Sequence, residues 1–383
     1  MVIRSLVLSL VLVSPVALSA AGDPKQNNSI ADVITDHFQK WDKQGTGKLT
    51  REEVDGLVAN HSVKGDVAAA VAALHVYFRN NPTAGPLTQT FVLESASKSL
   101  PAERRDLANK FQHFQADYEH FRNHIQNSPR DLFVGDAPQL QGVHQGGLGD
   151  CYFVSMVGAA IHFERNRLKQ IFHPIKDGVC ELDFLDGTKT TVKLTDAQIA
   201  LGSSAGAQGL WLNVLEEGFG QVRFKQQPKK EPGDIPIDVI SRGGSPAASI
   251  SLLTGHKAEQ LDVLKHAKEP AATRKLRDVM ISGTKSRLLM GAGTPDEKEQ
   301  KLPPGVAGGH CYAVLGFDQA KDIVHLWNPW GNNFQPKKEP AGLENGYPVK
   351  DGLFDVPLGD FLKFFGYFNY ETHEPIKPIP KKK

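Results

Sequence analysis

The stretch QGGLGDCYFVSMVGAAI, Gln145 to Ile161, joins a glycine-rich turn to a run of apolar residues, with Asp150 and Cys151 at the junction. Gly149 and Asp150 supply a turn and an N-cap, so the pattern predicts a buried helix with Cys151 in its first turn. Unpaired backbone N–H groups at such a position lower a thiol's pKa and favour the thiolate. A structural cysteine sits more often in the middle of an apolar run, yet free cysteine is also a common core residue. On spacing alone, nucleophile and core thiol both stay open.

A nucleophilic thiolate needs a base, the base needs an orienting group, and the developing oxyanion needs donors. His310 lies in GGHCYAVLGF, Gly308 to Phe317, where glycines precede an alternating apolar strand. Asn328 opens NPWG just after the strand residues Ile323, Val324, His325 and Leu326. Gln145 precedes Cys151 by six residues, where its amide would lie beside an attacked carbonyl. Singly, each has a plainer reading, because the chain has 14 histidines and Asn-Pro is a common turn opener. The order Gln, Cys, His, Asn is what gives them weight together.

The segments QGGLGDCYF, GGHCYAVLGF and LWNPWG (Leu326 to Gly331) resemble the motif blocks of the calpain-type cysteine proteases of the papain-like group, which show close variants of QGxLGDCWF, GHAY and RNPWG. Weaker echoes are WLNVLEEGFG (Trp211 to Gly220), SLLTG (Ser251 to Gly255) and DGLFDVPLGDFLKFF (Asp351 to Phe365). The resemblance implies an α+β fold: a papain-like/calpain two-subdomain cysteine protease core over 131–373, divided near 255, preceded by an all-α EF-hand-like pair. It also implies Cys151 as nucleophile, His310 as general base and acid, Asn328 as orienter of the imidazole, and Gln145 as oxyanion donor with the Cys151 N–H. Trp330 matches the tryptophan that in this family shields the His/Asn pair from water.

Tyr152 replaces the family's tryptophan and Cys311 the small residue after the histidine, and neither change removes a catalytic atom. Cys311 raises a question of oxidation or partnership with Cys180. Cys180, Leu182 and Phe184 alternate along a predicted strand, which reads as core. The Pro-, Gly- and charge-rich stretch Gly293 to Gly309 predicts a loop, and its counterpart in calpain-like proteins gates the cleft.

Upstream, Ile30, Val33, Ile34, Phe38 and Trp41 have helical spacing, followed by DKQGTGKLTREE, Asp42 to Glu53. This resembles an EF-hand loop, with Asp42, Gln44, Thr46, Lys48 (through its backbone carbonyl), Thr50 and Glu53 at the Ca2+ ligand positions and Gly47 at the sharp turn. Only Asp42 and Glu53 bring charge, so the predicted affinity is weak. Aligning GKLT (Gly47 to Thr50) with GPLT (Gly85 to Thr88) reveals a second loop that lacks ligands and would pair with the first through a short strand. A helix is predicted from Ala102 to Gln126, with Leu107, Phe111, Phe114, Tyr118, Phe121 and Ile125 on one stripe, as core or as a cover for the cleft.

The chain has 383 residues, 44 Lys plus Arg and 43 Asp plus Glu, which suits two or three cores and supplies no field for nucleic acid or anionic lipid. Residues 1–21 read as a signal peptide, with Arg4, the apolar run Leu6 to Val16 and the small residues Ser19, Ala20 and Ala21. A helical unit is expected over 22–128 and a Lys/Pro-rich tail over 374–383. The expected function is an exported, calcium-dependent endopeptidase acting on proteins or peptides, without stable membrane insertion. A cell-wall peptide amidase and an inert calcium-binding interaction protein are the alternatives.

Overall fold

The computed structural model describes residues 29–97, 113–227, 235–267 and 269–376. The expected signal segment, Leu107, Phe111 and all but the first three residues of the tail lie outside the described residues.

Helix α1 (Ile30–Trp41) begins where Ser29 accepts the N–H of Asp32, and it buries Ile30, Val33, Ile34, Phe38 and Trp41. Strand β1 (Lys48–Leu49) leads into α2 (Arg51–Val58), whose start is locked by a capping box between Thr50 and Glu53. A similar succession follows in α3 (Gly65–Asn80), β2 (Leu87–Thr88) and α4 (Gln89–Ser97). Strands β1 and β2 pair antiparallel, Lys48 opposite Thr88 and Leu49 opposite Leu87. Helix α5 (Phe114–Asn127) packs its buried Phe114, Tyr118, Phe121 and Ile125 toward α3.

The next unit is built on α6 (Cys151–Lys169), which is buried without interruption from Tyr152 to Ile161. An apolar surface on all sides makes a helix central. Beside it lie the antiparallel strands β3 (Phe172–Pro174), β4 (Val179–Asp183) and β5 (Lys189–Lys193), in that order, and the helices α7 (Asp196–Leu201), α8 (Trp211–Gln226), α9 (Pro236–Ile240) and α10 (Pro246–Thr254).

The last unit comprises β6 (His256–Asp262), α11 (Val263–His266), α12 (Pro270–Ser286), β7 (Met290–Gly293), β8 (Cys311–Asp318), β9 (Ile323–Trp327), β10 (Leu353–Pro357), α13 (Leu358–Phe364) and β11 (Tyr367–Pro375). Its sheet has the order β10-β9-β8-β7-β11-β6, antiparallel at every pairing. The expected alternation along β8 does not hold, since Cys311 to Phe317 are all buried. Helices α6 and α12 both pack on this strand, which leaves it no wet side.

The two larger units meet where α6 lies on β7 and β8. A Cβ at Gly158 of α6 would lie 2.3 Å from the ring of Trp327 in β9, so glycine is what lets helix and sheet approach. Gly158→Ala is expected to destabilise the fold by about 1–3 kcal/mol through overpacking. Denaturant melts check this, with a lowered midpoint at unchanged slope as the expected result.

Candidate active site

Cys151 opens α6, with Asp150 at the N-cap position. Asp150 was expected to cap the helix, but its side chain makes no cap hydrogen bond and is fully buried. It turns instead to Glu216 of α8, also fully buried, whose Oε2 accepts the N–H of Ser203 at 2.8 Å and whose Oε1 accepts the Ser203 hydroxyl. Burial, then the adjacent Glu216 charge, pushes the Asp150 carboxyl well above its ordinary range. The fit is close, since a Cβ on Gly202 would lie 2.9 Å from Glu216 Oε2.

The expected depression of the Cys151 pKa is also corrected. Burial pushes this thiol up, and Asp150 adds to the rise, while hydrogen bonds from the backbone of Cys311 and Tyr152 only partly offset them. Loss of water outweighs the field of the helix terminus.

His310 precedes β8 and Asn328 follows β9, so the pairing of two adjacent strands brings them together. His310 Nε2 lies 2.8 Å from Asn328 Oδ1, which also accepts the Trp330 N–H at 3.0 Å. Asn328 Nδ2 donates to Asn332 Oδ1 at 2.9 Å, fixing which end of the amide faces the ring. Nε2 therefore carries the proton of the neutral ring, and Nδ1 keeps its lone pair. The Trp330 indole covers His310 at a centroid distance of 4.3 Å, and Tyr312 meets it edge-on at 4.9 Å. Burial lowers the His310 pKa to about 4 against the opposing Asn328 hydrogen bond.

Cys151 and Gln145 share a cleft of about 410 Å3 with His310, Trp330, Gly243 and Gly244. Gln145 lies in the expected place, but its Nε2 donates to Leu148 O at 2.6 Å and to Asp150 Oδ1 at 3.2 Å. Both amide hydrogens are thus committed to the loop, and a role at the oxyanion requires this side chain to turn. Cys151, Cys180 and Cys311 are all free thiols. Cys180 is buried in β4, and Cys311 accepts the Ser155 hydroxyl at 3.3 Å, so the two are not partners.

The Asp42 to Glu53 loop places several expected ligands together. Thr46 Oγ1 lies 3.5 Å from Asp42 Oδ1 and 3.2 Å from the Lys48 carbonyl oxygen. Asp42 accepts the N–H groups of Thr46 and Gly47, and Gly47 has the positive φ of +72° that the turn needs. Glu53 spends both oxygens on backbone, accepting from Lys43 at 2.9 Å and Thr50 at 2.9 Å. The donor set fits a hard cation, with Glu53 released from its capping box. Gln44 and Thr50 stand in the same loop.

Sequence reasoning missed Glu216, Ser203 and the buried trio Asp55, His75 and Asp238. An acidic residue inside the apolar pattern of WLNVLEEGFG was the available signal for Glu216.

The profile of the calpain family cysteine protease matches residues 239–337, a span that includes His310 and Asn328. The chain is 25% identical over 219 residues to the calpain-type cysteine protease DEK1 of Arabidopsis thaliana, covering 53% of this chain and 10% of that protein. It is 20% identical over 270 residues to Calpain-9 of Homo sapiens, covering 63% of this chain and 36% of that one. Residues 239–337 thus match a calpain family cysteine protease domain, and the similarity to calpains extends over more than half of the chain. It spans about a tenth of the plant relative and about a third of the human one. Among the described residues, no helix is long and apolar enough to cross a membrane.

Burial thus disfavours both the thiolate of Cys151 and the imidazolium of His310. Iodoacetamide labelling of Cys151 in chelator is therefore expected to rise in one alkaline step above the ordinary thiol value of 9.0. Labelling already maximal at pH 6 would contradict it.

Proposed function

We propose that this chain is an exported, calcium-dependent cysteine endopeptidase that hydrolyses protein or peptide substrates. The observation that carries the reading is the His310–Asn328 pair, 2.8 Å apart under Trp330, in one cleft with a cysteine at the start of a buried helix.

Each group then has a defined task. Cys151 Sγ passes its proton to His310 Nδ1 and forms a C–S bond to the substrate carbonyl carbon. The Cys151 N–H and the turned Gln145 amide receive the oxyanion. His310 gives its proton to the leaving nitrogen as the C–N bond breaks. Water attacks the thioester and yields a proton to His310. The C–S bond then breaks, the acid leaves, and the proton returns to sulfur. Asn328 keeps the ring in the tautomer that presents Nδ1 to sulfur.

Asp42, Gln44, Thr46, Thr50 and Glu53 with the Lys48 carbonyl would hold Ca2+ at the N-terminal loop. Bound there, the ion supplies positive charge that binds α1 and α2 to one rigid loop. The β1–β2 ladder favours an EF-hand-like pair for this region. Export rests on the pattern from Arg4 to Ala21.

The test is hydrolysis of a denatured protein by the chain freed of residues 1–21, with calcium and with chelator, beside Cys151→Ala. Cleavage only with calcium, and none by the variant, is expected. Equal cleavage by the variant would sink the reading. Replacing Asp42 and Glu53 together by Ala is expected to raise the calcium requirement about tenfold or more, since both charged ligands are lost. An unchanged requirement excludes this loop as the switch.

A further inference from the structure

The active-site cleft and a second cavity share one thin wall. Gly147 and Gly149, between Gln145 and Cys151, line the cleft and also border a cavity formed with Arg51, Arg79, Asn80, Asp238 and Arg242. Arg51, Arg79 and Asn80 belong to the N-terminal helical unit. Gly147 and Gly149 have no side chains, so between them only the buried Leu148 side chain anchors the strip, and its carbonyls take the remaining support. Gln145 Nε2 holds the Leu148 carbonyl at 2.6 Å, and from behind Arg79 Nη2 donates to the Gly147 carbonyl at 3.1 Å. The Arg79 guanidinium lies in the field of Asp238, Asp150 and Asp117.

A second link fixes the neighbouring wall. His75 of α3 is fully buried, with Nδ1 2.8 Å from Asp55 Oδ1 and Nε2 2.9 Å from Asp238 Oδ1. Arg51 reaches Asp238 at 3.3 Å and Asp55 at 3.5 Å. The three groups Asp55, His75 and Asp238 lie close enough to hold a metal ion. Burial works to lower the His75 pKa, but its hydrogen bonds to Asp238 and Asp55 raise it on balance, so these side chains and Arg51 serve one another as partners without a metal. Asp238 stands on α9, and its carbonyl accepts the Ser241 hydroxyl at 2.7 Å, just before the cleft residues Gly243 and Gly244.

We infer that the N-terminal helical unit is a fixed part of the active site, in which Arg79 and His75 are positioning residues that hold the Gly147–Gly149 strip and the segment leading to Gly243. The inference rests on the protease reading above. A cover over the cleft is the contrary arrangement, yet the described residues that line the cleft start at Gln145. Phe114 and Phe121 of α5 are buried, with Phe114 against Tyr77 of α3 at 5.5 Å.

The test compares Arg79→Met, which keeps the aliphatic stem, and Arg79→Lys with wild type in the full chain with calcium. Amide exchange followed by mass spectrometry is read alongside kcat and KM on a denatured protein. In Arg79→Met, exchange over 145–152 is expected to rise about tenfold against unchanged exchange elsewhere. The kcat is expected to fall about tenfold with KM within twofold, as for a misplaced catalytic group, and Arg79→Lys to recover part of both. Unchanged exchange over 145–152, a rise spread evenly over the chain, or an unchanged kcat would overturn the inference. If wild type cuts nothing, the protease reading fails by itself, and the exchange pattern still decides whether Arg79 holds the strip. Should Arg79→Met not fold, the milder Arg79→Lys is read by the same criteria.

Discussion

The contact of α6 with the sheet at β7 and β8 is the constraint on which the rest depends. Cys151 stands at the end of that helix, while His310 and Asn328 flank β8 and β9. Cys151 and His310 therefore face one cleft only because helix and sheet pack closely, and Gly158 against Trp327 sets how closely. Small displacements at this contact are amplified at the cleft, because a packed core does not deform continuously.

Burial has a second consequence at the same place. Asp150, Cys151 and His310 are each driven toward their neutral forms by loss of water. Thiol chemistry needs the opposite, a thiolate beside an imidazolium. Whatever aligns the cleft must supply the interactions that make charge separation favourable, chiefly the approach of His310 Nδ1 to sulfur. Calcium dependence, as proposed, has a physical meaning in these terms: the resting cleft gathers its groups with the Gln145 amide turned to the loop and the charges not yet separated.

Local signals were legible in the sequence. The apolar run after Asp150 predicted the helix from Cys151, and the strand before Asn328 predicted the turn that carries it. The Ile30 to Trp41 periodicity marked α1. What escaped depends on contacts between distant segments. Asp150 reads as a cap until Glu216 of α8 is seen beside it, and Gln145 reads as a free donor until Leu148 and Asp150 take its hydrogens. His75 sits in an alanine-rich helix and shows nothing until Asp55 and Asp238 converge on it. The even burial of β8 depends on two helices contributed from either side, a fact of topology that the pattern of one strand cannot hold.

The central claim is that Cys151 alone among the three thiols reacts under the control of His310. Peptide mapping by mass spectrometry, after treatment of the folded chain with a peptidyl chloromethyl ketone in calcium, tests it most directly. The expected result is a single adduct on Cys151, lost in His310→Ala. An adduct on Cys180 or Cys311, or an equal yield on Cys151 without His310, would contradict it.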